Sequence, residues 1–167
     1  MDTLTHIFLP LTLIYILKRD LKAKHFPLAL FAIIPDLDVF TGVHRGISHS
    51  LLFLASLACI ILATEYVVKR QLKHSTLAVG FLFSHIVLDI LTGGAPLLYP
   101  LINLGVGITI PFIVRFGESI SIVDAMPKIV YSVPQPVQGE IDAFSSFGVA
   151  MTATFLIVWW RTYRRRS

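Results

Sequence analysis

Long apolar runs alternate along this chain with short, strongly polar breaks. The runs cover approximately Leu4–Leu17, Phe26–Phe40, Ser50–Val68, Thr76–Thr92 and Phe144–Trp160. Their lengths approach the roughly 20 residues that a helix needs to cross a hydrocarbon core of about 30 Å. The third run, SLLFLASLACIILATEYVV, fits a transmembrane helix best, and the fourth and fifth also fit. The first two are short for a full crossing and are expected to be tilted, partly embedded or packed inside a bundle. Between Leu101 and Val114 the apolar sequence LINLGVGITIPFIV is broken by Gly105, Gly107 and Pro111. A re-entrant or surface segment is expected there. Residues 115–142 are more polar, contain Pro127, Pro134 and Pro136, and are expected to form an extramembrane loop. The expected fold is thus an all-α integral membrane bundle of about five spans. It forms a single domain over 1–167, with the chemistry-bearing motifs in 1–100.

Composition supports a lipid environment. Of 167 residues 55% are hydrophobic and 14% charged, too little polar surface for a soluble domain of this size. The opening sequence MDTLTHIFLPLTLIYILKRD has Asp2 where a signal peptide carries basic residues, and it lacks a small-residue cleavage site. A retained first span is expected. The lone cysteine, Cys59, excludes an internal disulfide framework and a thiolate metal cage.

The formal net charge of +4 does not imply nucleic acid, because the basic residues are clustered between apolar runs. Lys18, Arg19, Lys22 and Lys24 follow the first run, and Lys69, Arg70 and Lys73 follow the third. Arg161, Arg164, Arg165 and Arg166 close the chain. Five spans with the N-terminus outside and the C-terminus cytoplasmic place all of these on the cytoplasmic side.

The same topology gathers a second set of residues at the opposite face. His6 begins the first run, Asp36 and Asp38 follow Pro35 at the end of the second, and His44 and His49 lie in the turn HRGISHS before the third. His85 and Asp89 lie in SHIVLD in the outer half of the fourth. Ionisable groups at membrane depth cost several kcal/mol, about 2.5–3.5 or more each, unless paired or bound. A shared divalent metal, Zn²⁺ foremost and Mn²⁺ next, meets that demand, with one or more ions held by His6, Asp36, Asp38, His44, His49, His85 and Asp89. His85 and Asp89 are four residues apart and share a helix face. Asp36 and Asp38 are placed to bridge two metals about 3.5–4 Å apart, or to act as general base. Arg45 is suited to clamp a phosphate oxygen. Ser48 is expected to cap the helix that follows. A Ser-His-Asp acyl hydrolase using Ser48 or Ser50 is a minor alternative without a G-x-S-x-G signature. His25 and His74 fall beside the basic clusters.

These motifs, Thr5-His6, Pro35–Asp38, His44–Ser50, Ser84–Asp89, Thr92-Gly93 and Leu98–Pro100, resemble those of the YdjM family of inner-membrane metal-dependent hydrolases. The resemblance covers about residues 1–100. Here Pro10 stands near His6 where family members often have glycine, and nothing after Pro100 suggests roles for Glu118 or Asp124. The family is distantly similar to zinc-dependent phospholipase C and P1-type nucleases. This implies phosphoester hydrolysis of a lipid or lipid-linked substrate at the outer face, with membrane lipids as partners. An ion or proton transporter, or a membrane protein with a structural metal site, uses the same residues differently. A transporter favours ligands near the midplane and repeated halves, and this chain has neither signature.

Overall fold

The computed structural model describes residues 2–18, 21–111, 113–116, 120–136 and 142–164. Four α-helices form its frame: α1 (Thr3–Leu17), α2 (Leu51–Lys69), α3 (Lys73–Thr92) and α4 (Ser146–Arg164). Between α1 and α2 the chain winds as 3₁₀ helix over Ala23–Ile33, Pro35–Thr41 and Ile47–His49.

The expected bundle of five spans does not form. Among the described residues only α2 and α3 are helices both long and apolar enough to cross a membrane. Helix α1 has 15 residues, about 22 Å at 1.5 Å per residue, short of a core of about 30 Å. The second run holds Pro27 and Pro35, whose missing N–H groups interrupt the α-helical ladder, and it winds as 3₁₀ helix instead. Helix α4 is diluted by Thr152, Thr154, Arg161, Thr162 and Arg164. Strands replace the expected re-entrant or surface segment. Strand β2 (Gly105–Thr109) pairs antiparallel with β5 (Lys128–Ser132), and β3 (Ile113–Phe116) pairs with β4 (Ile120–Asp124). Strand β1 (Val43–His44) pairs with β6 (Gln135–Pro136), which fastens the HRG turn.

Helix α3 is the axis of the fold. Its buried positions Ser75, Ala78, Phe81, Leu82, His85, Ile86 and Asp89 recur at three- and four-residue steps, one face of a helix. Towards one side Phe81 packs with Leu11, Tyr15, Leu21, Ala29, Ala32 and Phe155. Towards the other, Leu82 and Ile86 pack with Leu54 and Ala95. Helix α2 touches the fold through Leu54 and Ala58 and leaves Leu52, Ile60, Val67 and Val68 exposed, an outward face that suits lipid.

Helices α1 and α4 run in the same direction. Asp2 caps α1 by accepting from the Thr5 backbone N–H and hydroxyl, and it also accepts from the Ser145 hydroxyl at 2.7 Å. Burial pushes the Asp2 carboxyl up, but these donors outweigh it and hold the group below its ordinary value. Further along, Phe8 and Tyr15 meet Phe155, and Phe26 meets Trp159. The end of α1, the start of α3 and the end of α4 thus share one end of the molecule, and they carry the basic clusters.

Candidate metal centre

The interior stripe of α3 carries His85 and Asp89 towards the other end. There the 3₁₀ segments supply Asp36 and His49. His85 and His49 are fully buried and Asp89 nearly so. Four atoms face one another. His85 Nε2 lies 3.2 Å from His49 Nε2, 3.4 Å from Asp89 Oδ2 and 3.5 Å from Asp36 Oδ1. His49 Nε2 lies 3.3 Å from Asp89 Oδ2 and 3.7 Å from Asp36 Oδ1. A tetrahedral Zn²⁺ with ligands at about 2.0–2.2 Å has ligand–ligand edges of about 3.3–3.6 Å. Asp36, His49 and His85 thus have ligand atoms close enough to share one ion, and Asp89 Oδ2 stands at a similar spacing from both imidazoles.

Hydrogen bonding behind the rings points the right atoms inward. His85 Nδ1 is 2.6 Å from the Ala32 carbonyl oxygen. That oxygen only accepts, so Nδ1 carries the hydrogen and Nε2 presents a lone pair to the cage. His49 Nδ1 is 3.0 Å from Asp38 Oδ2, which leaves its Nε2 for the cage. Two imidazole lone pairs 3.2 Å apart repel unless a proton or a cation lies between them. Asp89 Oδ2 is buried and faces both cage imidazoles, at 3.3 and 3.4 Å, a negative oxygen placed where a cation compensates it. The donor set thus fits a divalent metal. Burial pulls the His49 pKa down, but hydrogen bonds to Asp36, Asp38 and Asp89 outweigh it and hold it up at about 10. Asp36 is held below its ordinary value, because His49 and His85 outweigh the upward push of burial.

His6 extends the cluster. Its ring stacks on His85 with centroids 3.9 Å apart, and its Nε2 lies 3.8 Å from Asp89 Oδ1. His6, His85 and Asp89 form a second group whose ligand atoms could share an ion. Arg45 Nη2 lies 3.3 Å from the same Asp89 oxygen. The Arg45 backbone is left-handed, with φ 56°, a conformation costly for a side-chain-bearing residue and concentrated at functional sites. It turns the guanidinium onto the cluster, and Gly93 leaves room for it, since a Cβ there would stand 3.1 Å from Arg45 Nη1.

The structure thus brings together His6, Asp36, His49, His85, Asp89 and Arg45. Asp36 and Asp38 do not form the expected bridging pair, because they meet opposite edges of the His49 ring. Asp38 serves as a positioning residue, also accepting from the Gly46 N–H at 3.4 Å. The His44 backbone lies in β1, but its side chain falls outside the described residues, as does all of Glu118. Asp124 is engaged by Lys128. The capping role expected of Ser48 belongs to Ser50, whose hydroxyl accepts from Phe53 N–H at 3.2 Å. Ser48 instead contacts His49 Nδ1. Sequence reasoning missed the Ala32 carbonyl, which no side-chain pattern could mark. It also missed the purpose of Gly93, for which the adjacency to Thr92 in the motif was the available signal.

The sequence profile of the YdjM inner membrane protein family matches residues 1–166. No curated protein and no solved structure matches the chain.

Proposed function

The chain belongs to the YdjM inner membrane protein family, and on that premise we propose that it is a metal-dependent hydrolase cleaving a phosphoester of a lipid or lipid-linked substrate at the outer face. The observation that carries this reading is the cage of two imidazoles and two carboxylates with Arg45 beside it. His49, His85, Asp36 and Asp89 hold the ion, Zn²⁺ before Mn²⁺, and His6 supports an expansion of the site. When bound, the ion supplies Lewis acidity and makes water a stronger nucleophile near neutral pH. Asp36 is the general base, since its side chain is 16% exposed at the rim of an otherwise closed cluster. Arg45, 20% exposed and with its Nε unpartnered, binds a phosphate oxygen and steadies the charge that develops on it. Asp38 keeps the His49 tautomer. The outer-face assignment draws on the convergence of the basic residues at the end opposite the cage. In this reading α2 and α3 cross as a hairpin, with the start of α2 and the end of α3 at the outer face beside the cage and the Lys69–Lys73 connection at the cytoplasmic face.

Purified protein with Zn²⁺ is expected to hydrolyse a phospholipid from a headgroup panel. Arg45→Ala should lower kcat/KM by about 10²–10³-fold while metal content by elemental analysis stays the same. Turnover that survives chelation, or an Arg45→Ala enzyme as active as its parent, defeats the proposal. Bound metal with no turnover across the panel would leave a structural site.

Metal binding is expected to expel the proton from His49. With a folded pKa of about 10 against an ordinary 6.5, this proton stabilises the metal-free fold fully below pH 6.5. That contribution is lost as the pH rises through about 10. Zn²⁺ must displace it, so the affinity should strengthen about tenfold per pH unit between pH 7 and 9. Calorimetric titration in buffers of different ionisation enthalpy should register about one proton released per ion at pH 8. Release of none would show that His49 is not a ligand.

A further inference from the structure

At the end of the molecule opposite the cage, the geometry points to a second binding site, for a phosphate group, in the basic cavity where the end of α1, the start of the 23–33 helix and the start of α3 meet. The cavity has a volume of about 520 Å³, and its lining includes Lys18, Lys22, Lys24, His25, Lys73 and His74. These come from three separate elements. Membrane topology asks only that such lysines lie near the interface; it does not ask that they surround one hollow. No carboxylate is among the described residues of the lining. Glu65, in the adjoining groove, is already engaged by the backbone N–H groups of His74 and Ser75 and by His74 Nδ1 at 2.8 Å.

His25 supplies an independent observation. It is 7% exposed, yet its buried Nδ1 has no hydrogen-bond partner, and its ring stands 5.3 Å from that of His74. Its pKa is pushed down by burial first, then by His74, Lys24, Lys73 and Lys22, as expected for an imidazole in a positive field with no anion to offset it. A buried, unpaired nitrogen among several ammonium groups is the donor set a phosphate takes up. An apolar groove of about 390 Å³, lined by Leu28, Phe31, Ile60, Ile61 and Ala78, shares His74 with this cavity. Its position beside the basic hollow suits the acyl chain of a lipid whose headgroup sits among the lysines. A free phosphate compound would use the lysines alone.

The test is native mass spectrometry of the full chain in detergent, titrated with phosphatidic acid, phosphatidylcholine or inorganic pyrophosphate. Phosphatidic acid is expected to bind at least about tenfold tighter than phosphatidylcholine. The triple variant Lys22→Gln, Lys24→Gln, Lys73→Gln should lose about tenfold or more of that affinity. All three side chains lie on exposed residues, and Zn²⁺ content at the far cage checks that the variant is folded. The double variant Arg161→Gln, Arg164→Gln removes charge from the same end without touching the cavity and should bind as the parent does. Binding of phosphatidic acid alone identifies a lipid headgroup, and equal binding of pyrophosphate identifies a soluble phosphate compound. An unaffected triple variant, or equal losses in both variants, overturns the site and leaves only diffuse surface charge.

Discussion

Asp89→Ala is expected to abolish stoichiometric metal binding, raising the Kd for Zn²⁺ at least about a hundredfold. Even groups that only orient a metal's ligands are worth about 10–100-fold in affinity, and Asp89 does more. Its Oδ2 stands within 3.4 Å of both cage imidazoles, and its Oδ1 meets Arg45 and His6. Removing it leaves the Arg45 charge without its carboxylate in a half-buried setting, and loss of one partner of a buried pair costs about 3–5 kcal/mol. The metal-free variant should therefore also melt earlier. Asp89→Asn separates the two effects. The amide keeps the volume and a hydrogen-bonding group, so the fold should survive while the metal is lost. Elemental analysis and isothermal titration decide the matter. Parental metal content in folded Asp89→Asn would remove Asp89 from the cage and with it the reading of the site.

Gly107→Ala is expected to destabilise the protein by about 2–4 kcal/mol, at or above the usual 1–3 kcal/mol of overpacking. Strand β2 lies directly on the end of α3 at this residue. An added methyl would stand 2.5 Å from Gly94 Cα and 2.7 Å from Ile90 O, and both are backbone atoms that cannot swing aside. The ribbon of β2 and β5 must then lift from the helix that carries the cage. Gly80→Ala is the matched control. It lies within α3, where a Cβ meets nothing within 4 Å, and alanine there should stabilise by about 0.5–1 kcal/mol through helix propensity. Denaturant or thermal unfolding in detergent gives both values. Equal stability of Gly107→Ala and the parent would show that β2 does not seat on α3 as described.

Much of the candidate site was legible because an apolar chain makes its ionisable residues conspicuous. His85 and Asp89 sit four apart inside an apolar run, and helical spacing alone puts them on one face. His49 and Asp36 were legible as polar interruptions at the ends of runs. The division of labour between Asp36 and Asp38 was not. Two residues apart in a 3₁₀ helix, they leave its axis in different directions, and only the placement of the His49 ring decides which one enters the cage.

The failed count of spans has a similar cause. Hydropathy measures the preference for lipid, but it does not measure whether a backbone can close its hydrogen bonds as an α-helix. Pro27 and Pro35 divert the second run into 3₁₀ turns. In GVGIT the strand alternation is inverted, since Gly105 and Gly107 are buried while Val106 is exposed. A pattern search that expects large apolar residues inside reads this segment as broken rather than as a strand.

The sequence by itself determined that the protein belongs with membranes and that His6, Asp36, His49, His85 and Asp89 stand apart from the basic clusters. These follow from transfer free energies and helical periodicity, which are local properties. Only the tertiary structure decided that Ala32, Asp38 and Gly93 orient the cage and seat Arg45, and that strands cover the end of α3. Those outcomes depend on which backbone atoms meet across dozens of residues of separation, and no local preference encodes that.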